Sequence, residues 1–162
     1  MNGWNYAEWA ERNGREHLRG RLATGDYLTV QANTLLSIVL AGIGAMLVYG
    51  TRIFDSASRV GPLEWGSAVC AAWLCAVAVV LSFRCIVTRE TQVLFNEPVN
   101  IYKPELKHSR DEILSFEIEN LQIQIDKTKL RNANVARWLD ICRYAAIGTP
   151  AVFAVAAFVA GR

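Results

Sequence analysis

Three stretches of the chain run without a charged side chain, and the segments around them are rich in charge. They extend from Leu28 to Gly50, from Trp65 to Phe83 and from Tyr144 to Ala160. A helix over the first covers about 35 Å at ~1.5 Å per residue, enough for a hydrocarbon layer of ~30 Å. Tyr27 and Tyr49 stand at its ends and Trp65 opens the second stretch, where interfacial aromatics belong. The third is the shortest, and Pro150 inside it predicts a kink. The pattern predicts an all-α membrane protein with three transmembrane helices. Its parts are an amphipathic N-terminal helix within 1–27, spans at 28–50, 65–87 and 144–162, a short loop at 51–64, and a polar segment at 88–143.

The polar segment has its own order. Asn96-Glu97-Pro98 and Tyr102-Lys103-Pro104 predict an irregular link, because proline disfavours helix at the residue before it. Ser109 then reads as an N-cap with Glu112 as its capping-box partner, opening a helix that no proline or glycine interrupts before Cys142. Leu114, Ile118, Leu121, Ile125, Thr128, Asn132, Val135, Leu139 and Cys142 follow at alternating steps of four and three, the spacing of a coiled-coil seam. Thr128 and Asn132 form a polar layer in it that serves register rather than ligand binding. Phe116, Ile123 and Leu130 make a second apolar line at seven-residue spacing, so this helix can meet more than one neighbour. Residues 4–26 predict a shorter helix weakened by Gly14, Gly20 and Gly25. Its Trp4, Trp9, Leu18 and Leu22 either pack on the long helix or, for the two tryptophans, lie on the membrane surface.

Charge sets the orientation. Arg12, Arg15, Arg19 and Arg21 precede the first span, and ten Lys and Arg lie between Arg84 and Arg143, against Arg52, Arg59 and Arg162 on the other side. The positive-inside rule therefore places the N-terminus in the cytoplasm and the C-terminus outside. A net charge of +2 without one long basic cluster gives no basis for nucleic-acid binding. No cleaved signal peptide is expected in the first 27 residues. Cys70, Cys75, Cys85 and Cys142 sit in or at the ends of apolar stretches, with no CxxC, and read as packing residues rather than a disulfide framework or metal site.

Chemistry-bearing patterns are sparse. His17 and His108 lack metal-ligand spacing, and no phosphate-binding, nucleophile-elbow or zinc-protease motif occurs. No catalytic, cofactor or metal residue is assigned, and a non-enzymatic protein is expected. The spans carry more information. Asn33, Ser37, Ala41 and Ala45 recur every four residues in the first, with Gly44 beside them, and Ala68, Ala72 and Ala76 do so in the second. Small residues at this spacing let helix backbones approach closely in lipid. Gln31, Asn33 and Ser37 put polar groups into the first turns of span one, where they either bond neighbouring helices in the molecule or its oligomer, or line a pore mouth formed by several copies.

The run Thr29-Val30-Gln31-Ala32-Asn33-Thr34-Leu35-Leu36, with a basic helix before it and a long amphipathic helix after the second span, resembles the Pycsar transmembrane effectors and SLATT-type domains of bacterial anti-phage systems. Those open span one with an acidic residue, a Lys-Ala pair and paired leucines. Here Ala32, Leu35 and Leu36 match, Thr29 and Gln31 stand at the charged places, Asp26 lies three residues early, and a third span is added. The resemblance implies a membrane effector that self-assembles and permeabilises the inner membrane. The expected partners are the bilayer, further copies of the chain along the seam, and a protein at the cytoplasmic helix. A membrane-bound immunity or accessory protein without a pore, a structural subunit of a larger machine and a holin are the competing readings. Tags on the two termini should report opposite sides of the membrane; the same side would overturn the topology.

Overall fold

The computed structural model describes residues 6–50, 61–87 and 109–162. Every regular element among them is helical: α1 (Tyr6–Gly50), α2 (Pro62–Leu81) continued by a π-helical turn (Ser82–Ile86), α3 (Arg110–Ile147) and α4 (Thr149–Ala160). Of the expected loop at 51–64, residues 51–60 lie outside the described residues and 62–64 belong to the first turn of α2, where proline at the first helical position starts the helix; the proline-punctuated link at 88–108, with His108 and Trp4, also lies outside them. Two of the helices are long and apolar enough to cross a membrane, or three when α3 and α4, bent by 44° across Gly148, are taken as one span. Alone, α4 has 12 residues, about 18 Å of helix, too short for a ~30 Å layer. A third span therefore needs the last turns of α3 as well as α4.

The helix starts follow local chemistry. Ser109 N–H donates to Glu112 Oε2 at 2.9 Å and Glu112 N–H to Ser109 Oγ at 3.3 Å, the reciprocal pair of a capping box. At α2, Pro62 occupies the first turn, where its missing N–H costs nothing, and Glu64 Oε2 accepts from Gly61 N–H at 2.8 Å. The turn at Ser82–Ile86 closes with Val87 N–H donating to Ser82 O at 2.9 Å. By contrast, α1 does not end where the amphipathic pattern gives way to the apolar one. It runs unbroken through Gly14, Gly20 and Gly25 for 45 residues, with no positive-φ residue among those described.

The chain divides into two compact units. The first comprises Met1–Tyr27 and Thr88–Asn134. In its described part, the first half of α1 lies along the first two-thirds of α3. Leu18, Leu121 and Ile125 are buried together with Leu22 packed against them, each contributing on the order of 2 kcal/mol. A methyl group added at Gly14 would just touch Leu121. Asn132 Nδ2 donates to Arg21 O at 2.7 Å, and a Cβ at residue 25 would lie 3.1 Å from Asn132 Oδ1. Gly25 thus keeps clear the approach that lets Asn132 reach the α1 backbone. Because Leu121 pairs with Gly14 and Asn132 with Gly25, the two helices run parallel here. Of the three glycines that lower helix propensity, Gly25 marks the close approach of α3, whereas a Cβ at Gly20 would meet nothing within 4 Å.

The second unit comprises Leu28–Val87 and Val135–Arg162. Its core joins Ala32 and Val39 of α1, Leu74, Val77, Leu81 and Cys85 of α2 and its π turn, and Leu139 and Cys142 of α3. At the other end, α4 packs along the start of α2, where a Cβ at Gly66 would fall 3.1 Å from the Phe153 ring. Packing is close where side chains are small, the mode that stabilises apolar helices against one another in lipid.

Leu121→Asp would place a carboxylate at a site that is 4% exposed, between Leu18 and Gly14. It should destabilise the first unit by about 3–5 kcal/mol. Thermal melting of the purified protein followed by circular dichroism checks this; a midpoint within a degree of wild type would contradict the packing.

Candidate functional site

The positions of the predicted seam are spent within the chain. Leu114, Leu121, Ile125, Thr128, Asn132 and Leu139 are buried, and Ile118 and Val135 are half-buried. In the first unit their neighbours are Leu18, Leu22, Gly14 and Gly25 of α1. In the second, Leu139 and Cys142 enter the core with Ala32 and Cys85. The polar layer is internally satisfied: Thr128 Oγ1 donates to Gln124 O at 2.8 Å and Asn132 bonds α1. From Leu121 to Asn132, the seam that was expected to join copies therefore packs on α1 of the same molecule. A heptad pattern identifies a face that will be buried but not whose helix buries it. The second line, Phe116, Ile123 and Leu130, is exposed.

Span one divides into two faces. Ala32 and Val39 are buried, with Leu28, Leu35, Leu36 and Ile43 packed beside them. Asn33, Ser37, Ala41, Gly44 and Ala45 are exposed, on the side away from that core. Ser37 Oγ donates to Asn33 O at 3.0 Å and Thr34 Oγ1 to Val30 O at 3.0 Å, so both hydroxyls are satisfied on their own helix. A Cβ at Gly44 would meet nothing within 4 Å. The Asn33 carboxamide has no hydrogen-bond partner among the described residues. Of the expected roles for this face, bonding to other helices of the same molecule is thus not used in the described structure.

Gln31 is different. Arg143 Nη2 donates to its Oε1 at 2.6 Å while Nη1 reaches Asp140 Oδ1 at 3.2 Å. One turn earlier on α3, the Arg84 guanidinium lies 5.0 Å from the Trp138 ring centroid, a cation–π contact. Cys85 Sγ donates to Val135 O at 3.9 Å. The start of span one, the end of α2 and the last turns of α3 therefore meet at one end of the second unit, where Arg84, Trp138 and Arg143 lie. Trp138 and Arg143 precede the third uncharged stretch, so this ring is invisible to a hydropathy window.

Farther along, the α3–α4 break is held by α2. Trp73 Nε1 donates to Ala145 O at 3.1 Å and Cys70 Sγ to Thr149 O at 3.6 Å. No group of three or more metal-ligating side chains comes together among the described residues. His17 is exposed on α1.

The chain matches no protein-family model, and no curated protein or solved structure is similar to it.

Trp73→Phe deletes the donor to Ala145 O and leaves a smaller aromatic ring at a side chain that is 38% exposed. The second unit should lose about 0.6–1.7 kcal/mol, the range for hydrogen bonds between membrane helices. Unfolding in mixed micelles by titration with sodium dodecyl sulfate measures it, and an unchanged midpoint would show that the bond contributes nothing to the break.

Proposed function

We propose that this chain is a non-enzymatic effector of the bacterial inner membrane, spanning it three times with the N-terminus in the cytoplasm. In this reading copies associate within the bilayer and permeabilise it. The observation that carries it is the outward face of span one. The fold places Ala32 and Val39 inward and leaves Asn33, Ser37, Ala41, Gly44 and Ala45 outward, with the Asn33 carboxamide unpartnered among the described residues. In hydrocarbon an unpaired carboxamide is costly, and it favours contact with protein or water over lipid. A face of small residues beside it allows another helix to approach closely enough to bond it. Association through the membrane face replaces association through the α3 seam, which packs on α1 from Leu121 to Asn132.

The orientation is supported by the cluster of Arg84, Trp138 and Arg143 at the end of the second unit that holds Gln31. The two arginines suit the cytoplasmic interface, and the tryptophan suits either interface. The two faces of span one then have separate tasks: the inner holds the bundle together and the outer meets other copies. A membrane-bound immunity or accessory protein is the second reading. It is favoured by Ile123 and Leu130, which are 47% and 67% exposed on α3, an apolar line suited to a partner protein.

Mass photometry of the full chain in detergent tests the assembly. Wild type should form a multimer, and Asn33→Leu combined with Gly44→Leu should shift it toward monomer by at least about tenfold in dissociation constant, from loss of close approach and its hydrogen bond. A monomeric wild type, or an unchanged mass in the variant, would rule out the outward face as the assembly element. Induced expression with a potential-sensitive dye separates the readings. Depolarisation that the double variant abolishes supports the effector; harmless expression at equal level supports the immunity protein.

A further inference from the structure

At the end of the second unit that holds Gln31, two arginines are placed by packing, and one of them keeps its donors open. Arg143 is engaged on both sides, by Gln31 Oε1 at 2.6 Å and Asp140 Oδ1 at 3.2 Å. The Arg84 guanidinium lies over the Trp138 ring, 5.0 Å from its centroid. A ring face attracts the cation but takes none of its five N–H groups as a carboxylate would. Arg84 makes no hydrogen bond and no ion pair with the described residues, and it is exposed.

The contact joins two helices and is fixed by the core beneath it. Cys85, the next residue, is buried with Leu139 and Cys142, and its Sγ donates to Val135 O at 3.9 Å. The π turn that carries Arg84 and Cys85 closes with Val87 N–H on Ser82 O at 2.9 Å. By contrast, Arg162 lies over Phe158 of its own stretch of chain, a contact that needs no tertiary packing. Negative charge near Trp138 is turned away from it. Asp140, two residues on, lies roughly 200° round a helix of ~3.6 residues per turn, and Arg143 holds it.

Depth in the bilayer decides which anion the cation meets. Arg84 follows directly on the uncharged stretch from Trp65 to Phe83, in a helix long and apolar enough to cross a membrane. A cation at the end of such a stretch extends to the headgroup layer, and a tryptophan beside it belongs at the same level. Phe83, next to Arg84 in the chain, and Ile141, one turn from Trp138 on α3, are exposed apolar neighbours suited to lipid. A guanidinium recognises phosphate oxygens as a fork. The ammonium group of a zwitterionic lipid would be repelled by Arg84, which has no carboxylate bound to it among the described residues, whereas an anionic phospholipid brings phosphate without that repulsion. We propose that Arg84, positioned by Trp138, binds the phosphate of an anionic phospholipid at the end of span two. The inference rests on the helices standing in a bilayer, as the proposed function has them, and not on assembly or permeabilisation.

The test titrates the full chain in detergent with dioleoyl phosphatidylglycerol, or with dioleoyl phosphatidylcholine as the headgroup control, and reads bound lipid by native mass spectrometry. The first phosphatidylglycerol should bind about tenfold more tightly than phosphatidylcholine. Arg84→Gln should weaken it about tenfold, the lower end for a hydrogen bond to a charged group, and so erase the preference. Trp138→Leu should weaken it about threefold through loss of the ring contact, and Trp138→Phe should recover most of that. Arg137→Gln, at an exposed arginine beside the site on α3, should bind as wild type. An equal loss in Arg137→Gln and Arg84→Gln would overturn the site in favour of a diffuse basic surface. Equal affinity of the wild type for the two lipids would also overturn it, and displacement by inorganic phosphate would reassign the site to a free anion. Flotation with liposomes separates these outcomes from failure of the membrane reading. A chain that does not float removes both, whereas one that floats without lipid preference removes only the site.

Discussion

A backbone amide in apolar surroundings can bond only to other groups of the protein, and most of this structure follows from that constraint. Helices satisfy it residue by residue, and every regular element among the described residues is helical. The exceptions are answered individually. At the end of α2 the ladder widens into a π turn and closes on Ser82 O. At Gly148 the ladder breaks, and Trp73 is brought across from α2 to take the carbonyl of Ala145. What the constraint leaves unanswered is equally specific: Ala146 O and Thr149 Oγ1 at the break, and the Asn33 carboxamide on the outer side of span one. The proposed function begins at the Asn33 carboxamide.

Close approach of backbones is the second organising feature, and glycine makes it in both units. Gly25 admits Asn132 to the α1 backbone in the first unit, and Gly66 admits the Phe153 ring to α2 in the second. Read along the chain, such residues weaken a helix by about 1 kcal/mol each relative to alanine. In the folded protein that cost is offset by contacts a larger residue would prevent. At Gly25 this compensates the weakened helix, while α1 continues through Gly14 and Gly20 without such a close approach.

The α3 seam shows the limit of periodicity. Leu121, Ile125, Asn132 and Leu139 are buried as their four-and-three spacing requires. The spacing carries no label for the partner. A seam of this kind fits a second copy or another helix of the same chain equally well, and here α1 supplies Leu18 and the backbone at Arg21. Among the described residues, the small-residue side of span one and the Ile123–Leu130 line are open to other molecules.

The sequence by itself determined the helical class, the apolar stretches able to cross a membrane, the capping box at Ser109 and the faces of each helix that would be buried or polar. These depend on composition and on spacing along one helix, which a linear chain displays directly. Only the tertiary structure decided that α1 passes from the amphipathic into the apolar pattern without a break, that Arg143 seeks Gln31, and that Trp73 crosses to the Ala145 carbonyl. Those are pairings of residues more than 70 positions apart or the outcome of contacts that override propensity. No local pattern records them, because the free energy that selects them exists only when the helices have packed.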